Sequence, residues 1–239
     1  PARLQSRMQS YGTAYVFYPE ATSQRCTAAL FVEVDPVGLV RDRKGFAGTP
    51  GLMDQYVNDR PYAASSLLSA ALVDAFGSAM GGRSADRPEL AELAIPLEFG
   101  VPALPCRGGD TLLRSLFEPL GYEVQARSLA LDARFPSWGD SPYFNVTLRT
   151  TARLQTALTH LYVLMPVLDN SKHYWVGDDE VEKLLRRGEP WLSTHPQRDL
   201  IVRRYLKHRR SLAETAIDRL IESDGGDSDI QYAVDATEV

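Results

Sequence analysis

The segment Tyr62–Met80 constrains this fold more than any other stretch. Leu67, Leu68, Ala71, Leu72, Ala75 and Phe76 recur at the spacing of a helix with one apolar face. Small residues (Ala63, Ala64, Ser65, Ser66, Ser69, Ala70) flank that face and allow a neighbouring backbone to come close. Gly81-Gly82 ends it, because glycine accepts the left-handed exit of a helix. A buried central helix is expected, around which the remaining elements must arrange themselves.

Strands precede it. Thr13–Tyr18 is rich in aromatic and β-branched residues and is expected to stop at Pro19. In Cys26–Val34, Cys26, Ala28, Leu30, Val32 and Val34 alternate with Thr27, Ala29, Phe31 and Glu33, the period of a sheet with one well-buried face. Residues 41–52 are a charged loop broken by Gly and Pro. After the central helix, Ile95–Leu104 reads as an edge or irregular strand because prolines interrupt it. Asp110 is expected to cap a short helix burying Leu112, Leu113, Leu116 and Phe117. Strands follow at Tyr122–Leu131 and around Phe144–Leu148. From there the pattern is helical: about 152–164 up to Pro166, 178–187 ended by Gly188, 195–208 and 211–222. Ser211 with Glu214 makes a capping box. The fold class is α+β: a mixed or antiparallel sheet over residues 1–150, a helical region 151–222 packed on it, and an acidic disordered linker, 223–239.

Composition excludes several classes. Apolar residues make up 44% and charged residues 24% of the 239 residues, as in a globular domain with a real core. No run approaches the ~18 apolar residues of a membrane span, and no basic-then-apolar leader opens the chain. Cys26 and Cys106 are too few for a disulfide framework, so a reduced, cytoplasmic setting is expected. Residues 222–239 hold six acidic and no basic side chains, which leaves +1 on residues 1–221 against −5 for the whole. A nearly neutral body attracts nucleic acid only through a local patch.

That patch is the segment 183–210, with nine Lys/Arg against Glu189 and Asp199. Arg203, Lys207 and Arg210 align at helical spacing with Arg204 beside them, opposite Ile201, Val202, Tyr205 and Leu206. Such a face suits RNA phosphates or an acidic partner, or is a solvated face balanced by Glu180, Glu182 and the tail. Lys172-His173-Tyr174-Trp175 has a basic–aromatic character suited to stacking on a base, although a bulky anchor between helices explains Trp175 equally well. Cys106-Arg107-Gly108-Gly109 precedes a helix and has the form of a thiolate or anion turn, but Asp110 already places negative charge there. His160, His173, Asp178 and Asp179 match no metal-ligand spacing, and His160 sits among Leu158, Leu161 and Tyr162, as a core histidine does. Asn145-Val146-Thr147 matches a glycosylation acceptor but lies in a strand. None of the double glycines follows a core strand in the manner of an S-adenosylmethionine-binding turn.

Longer strings carry more. Val16-Phe17-Tyr18-Pro19-Glu20-Ala21-Thr22, Asp59-Arg60-Pro61-Tyr62-Ala63-Ala64, Leu104-Pro105-Cys106-Arg107-Gly108-Gly109 and Leu116-Phe117-Glu118-Pro119-Leu120-Gly121-Tyr122 occur in order. Leu158 to Leu192 and Ile201 to Leu206 complete the series. Together they resemble the amino-terminal half of the bacterial RNA-repair family that 2′-O-methylates RNA 3′ ends. The resemblance extends from Tyr15 to about Leu220. It implies a strand ahead of Pro1 and a methyltransferase half beyond Val239, where S-adenosylmethionine and a divalent metal would bind. It also implies that this half is non-catalytic and binds and activates the ligase module of a bacterial kinase–phosphatase–ligase during repair of broken tRNA. Candidate contacts are Arg203, Arg204, Lys207, Arg210, Lys172, His173 and Trp175. The alternative is a free-standing RNA-binding module presenting the basic face 198–210.

Overall fold

The computed structural model describes residues 3–9, 11–35, 62–170, 178–206 and 210–223. The loop 41–52, the segment 172–175 and the tail beyond Ser223 lie outside them, as do the side chains of Asp178, Asp179, Ser211 and Glu214. The chain divides into two compact units, residues 1–174 and 175–239.

In the first unit, β1 (Gln5–Gln9), β2 (Gly12–Ala21) and β3 (Cys26–Val34) form an antiparallel sheet in that order. The sequence led us to expect two opening strands rather than three. β1 was missed because Gln5, Ser6, Arg7 and Gln9 show no apolar alternation, and it is held through its ladder to β2, from Gln5 opposite Val16 to Gln9 opposite Gly12. β2 also passes through Pro19, where a stop was expected. The register shifts between Phe17 and Glu20, and inside such a bulge a missing N–H costs no ladder bond.

Helix α1 (Tyr62–Met80) has the expected bounds, with a local departure from helical geometry at Phe76. It lies against β2 and β3. An ion pair from Arg7 to Asp74 (3.5 Å) shows that the Ala14/Val16 side of the sheet faces the helix, and both residues are buried. The one-turn helix α2 (Pro88–Ala91) leads to β4 (Ala94–Pro105). In the second sheet β6 (Asp140–Arg153) is central between β4 and β5 (Glu123–Ala130), all antiparallel. β4 occupies the edge, the place open to Pro96 and Pro102. Asn145 accepts a hydrogen bond at Oδ1 from the Ala103 amide (3.2 Å), where β4 shifts register and Ala103 takes φ 50°. Asn145 therefore serves the strand.

Helix α3 (Gly109–Phe117) buries Leu113, Leu116 and Phe117. Asp110 is not its cap. Gly108, at φ 137°, holds that position, and Asp110 instead pairs one turn on with Arg114 (2.8 Å). Helix α4 (Leu154–Asp169) runs past Pro166, which was expected to end it, and stops at Asn170 in the left-handed conformation. An internal proline costs about 3 kcal/mol. Every residue from Ala157 to Asp169 except Tyr162 is buried, so packing on all sides keeps the helix continuous. α1 packs closely on α4, joined by Ser65 Oγ donating to Asp169 Oδ2 at 2.8 Å, both residues buried. The small face of α1 thus makes the close approach, while Leu67 and Leu68 are only half-buried.

The second unit is helical: α5 (Asp178–Leu192), α6 (Arg198–Tyr205) and α7 (Arg210–Ser223). α5 does not stop at Gly188. Gly188 faces Leu192, whose Cδ2 would lie 2.9 Å from an added Cβ, so this glycine serves close packing. α6 starts at Arg198 rather than 195. Pro196 disfavours helical geometry at His195, and the buried His195 ring accepts the Gln197 amide at Nδ1 (3.0 Å) ahead of the helix. Val181, Leu184, Leu192, Ile201, Val202, Tyr205, Ala216 and Leu220 form the core. The architecture is α+β, two antiparallel sheets with a carboxy-terminal helical group.

Candidate interaction surfaces

Of the seven candidate contact residues, the structure brings two together. Arg203 and Arg204 lie side by side on α6, opposite the buried Ile201, Val202 and Tyr205, because the apolar positions of this short helix turn inward. Arg203 is exposed and Arg204 half-buried. Arg210 opens α7 but its side chain is outside the described set, and Lys207, Lys172, His173 and Trp175 are outside it altogether. At the start of α6, Arg198 bonds Asp199 (3.0 Å) and the Ser193 carbonyl (3.3 Å). An open cleft of about 420 Å³ runs along residues 195–200. Glu182, which sequence alone offers as a counter-charge to the basic face, is engaged by Arg219 (2.6 Å). The Arg219 hydrogen bond, and then its charge, hold the Glu182 carboxyl below the usual glutamate range.

Of the nucleophile and ligand candidates, Cys106 and His160 are described, and both are engaged inside the fold. Cys106 is buried and its Sγ reaches the Gly109 carbonyl at 3.2 Å. Three amides of the same turn are taken: Cys106 by Pro142, Arg107 by Leu168 and Gly109 by Cys106, each through a carbonyl. The Gly108-Gly109 turn does follow a strand, contrary to expectation for a double glycine, but that strand is the edge of an antiparallel sheet. His160 is a core histidine, its Nδ1 3.0 Å from the Tyr122 hydroxyl with the rings edge to face. Burial raises the Tyr122 phenol above its ordinary pKa, which keeps that hydroxyl neutral. Among the described residues no three of His, Cys, Asp and Glu gather as a metal site.

Two surfaces of the first unit were not foreseen. On the outer face of the second sheet, Arg149 bridges Glu98 (2.7 Å) and Glu123 (3.5 Å). Glu98 also meets Arg25 (3.7 Å), which in turn meets Glu20 (3.3 Å). This chain of five alternating charges joins the β2–β3 turn of one sheet to the strands of the other. All five side chains are well exposed, so each pair contributes modestly. The second surface is apolar. Met8, Phe17 and Phe31 are 90%, 37% and 57% exposed on the side of the first sheet away from α1. A smaller exposed pair, Phe135 stacked on Trp138 at 4.7 Å, caps the β5–β6 turn. The signal for the sheet face was in the sequence: Tyr15, Phe17 and Phe31 occupy the positions that alternate with the buried set.

No helix among the described residues is long and apolar enough to cross a membrane. The model of a family described as the RNA repair, ligase–Pnkp-associating region of Hen1 matches residues 1–221. No curated protein matches the chain.

Proposed function

Because the chain belongs to the family of RNA-repair, ligase–Pnkp-associating regions of Hen1, we propose that it is a docking module that binds and activates the RNA ligase of a kinase–phosphatase–ligase partner. The family match over residues 1–221 carries this reading, since association with that partner is the family's described property. The internal architecture supports it. Cys106 and His160, the residues most suited to chemistry, are engaged inside the fold, whereas the sheet face and Arg203 of α6 are turned outward. Activation then follows from preferential binding: a module that binds the sealing-competent state of the ligase more tightly than its other states shifts the ligase toward it. In this reading the setting is cytoplasmic and the substrate is broken tRNA held by the complex. The methyl-transfer cofactor and its metal are the concern of another domain.

The basic residues Arg203, Arg204, Lys207 and Arg210, with Lys172, His173 and Trp175, serve as contacts to an acidic surface of the partner or to the RNA it carries. The exposure of Arg203 on a helix with a buried opposite face favours that role. The test is ligation of a nicked tRNA by the purified kinase–phosphatase–ligase with ATP and magnesium, with and without this chain. Sealing that depends on the chain supports activation. Equal sealing in both, with the chain folded, rejects it. Tight, steeply salt-dependent RNA binding by the chain alone would favour the RNA-binding alternative.

A further inference from the structure

We infer that the outer face of the β1–β2–β3 sheet is the surface on which an apolar patch of the ligase–Pnkp partner docks, an inference that rests on the association reading above. An antiparallel sheet covered on one side alternates apolar-in with polar-out, whereas strands apolar at both parities belong to sheets buried on both faces. Here Ala14 and Val16 turn toward α1, and Arg7, opposite Ala14, reaches Asp74 of that helix. The other parity should then be polar. Beside the polar Ser6, Thr13 and Glu33 it carries Met8, Tyr15, Phe17, Ala29 and Phe31, of which Met8, Phe17 and Phe31 are large, apolar and exposed.

The aromatic side chains are contiguous, and Met8 lies in the neighbouring row, opposite Thr13. Tyr15 lies opposite Phe31, Phe17 opposite Ala29, and the Tyr15 and Phe31 rings are 6.2 Å apart. Tyr15 is anchored through its hydroxyl, which donates to Glu33 Oε2 at 3.0 Å. An aromatic held by a cross-strand ladder and a fixed hydrogen bond is preorganised, and little side-chain freedom remains to be lost on binding. At about 200 Å² for a fully exposed large side chain, Met8, Phe17 and Phe31 present on the order of 350 Å² of apolar surface. That is the size of the apolar centre within the ~800 Å² that one partner contributes to a standard interface.

Charge identifies the class of occupant. The strand positions of this face hold no Lys or Arg, and their charges, Glu33 and Glu20 (opposite Thr27), are both negative. RNA needs cations for its phosphates, so a nucleic acid is disfavoured here. A protein surface with an apolar centre fits, and the protein with which the family associates is the ligase–Pnkp partner.

The test is binding of the purified partner to the 239-residue chain and to a variant carrying Met8→Thr, Phe17→Thr and Phe31→Thr. Threonine keeps strand propensity while removing the apolar area. The expected result is an affinity loss of about thirtyfold or more, with Phe135→Ser/Trp138→Ser, on a different turn, binding like the parent chain. A second measurement avoids dependence on variant folding: amide exchange of the parent chain should slow across residues 5–9, 12–21 and 26–34 when partner is added. Binding by the parent that the triple variant retains, or protection confined elsewhere, overturns the surface while leaving the association intact. No binding by the parent chain overturns the association reading itself. Loss of self-association in the triple variant, without loss of partner binding, would make a second copy the occupant and also overturn the inference.

Discussion

Replacing Ser65 with alanine probes the helix pair at the centre of the first unit. The Ser65 hydroxyl links α1 to α4, donating to Asp169 Oδ2 at 2.8 Å across 104 residues of chain. Both residues are about 95% or more buried, so no water replaces the hydroxyl in Ser65→Ala, and Asp169 loses a donor in a dry site. A buried acceptor deprived of its partner costs about 1–3 kcal/mol. Alanine returns roughly 0.5 kcal/mol through better helix propensity. The net is about 0.5–2.5 kcal/mol, or a fall in melting temperature of about 1–10 °C for a chain of this size. Ser69→Ala is the matched control. Its hydroxyl, equally buried, donates only to the Ser65 carbonyl of its own helix (3.0 Å). Its loss should stay within about 0.5 kcal/mol. Thermal unfolding followed by circular dichroism, with the two variants side by side, measures the difference. Equal melting temperatures would refute the claim that the Ser65–Asp169 bond, rather than general small-residue packing, ties these helices.

Other substitutions test other parts of the account. Tyr122→Phe should blunt alkaline unfolding. Burial raises the folded-state pKa above 10.0, so below pH 10 the phenol contributes no pH dependence, and above it the unfolded chain ionises first. Stability then falls as pH rises, by up to about 1.4 kcal/mol per pH unit from this one group. Denaturant midpoints at pH 9, 10 and 11 should show a shallower decline in the variant. Gly188→Ala should lower the stability of the helical unit although alanine favours helices, because the new methyl meets the fully buried Leu192. A rise in midpoint would show that Leu192 has room to move. Reversing Arg203, Arg204 and Lys207 to glutamate should weaken partner binding or sealing with an unchanged circular dichroism spectrum. Sealing unchanged in the variant and flat across a salt titration would remove the basic face from the interface.

Much of the fold was written in local pattern. The bounds of α1 follow from its apolar spacing and its terminal glycines, and β3 from its alternation. What sequence misplaced shares one physical cause. Pro19, Pro166 and Gly188 are local stop signals, and in each case tertiary context outweighs them: a bulge accommodates the first, all-round burial the second, and a close contact with Leu192 gives the third a different purpose. β1 is the converse, a strand without local signal that exists because β2 offers it a ladder. The candidate surface was only partly legible. A run of cations announces itself by composition, and Arg203 with Arg204 emerged together as read. Alternation sets Phe31 apart from the other parity of β3, but that this side of the sheet is left uncovered is visible only when one knows which side α1 has taken.

The chain of charges from Glu20 to Glu123 makes the mobility of the β2–β3 hairpin a function of its medium. Glu98 is its pivot, shared between Arg149 of its own sheet and Arg25 at the hairpin turn. These groups are exposed, and at physiological ionic strength the Debye length is about 8 Å, so added salt weakens the clasp long before it disturbs the buried core. The hairpin that carries Phe17 and Phe31 is thus held at two ends by different physics. Apolar burial against α1 is not screened by salt, whereas the ionic catch at the turn is weakened by it. Ionic strength can therefore change how steadily this face is presented while the protein stays folded.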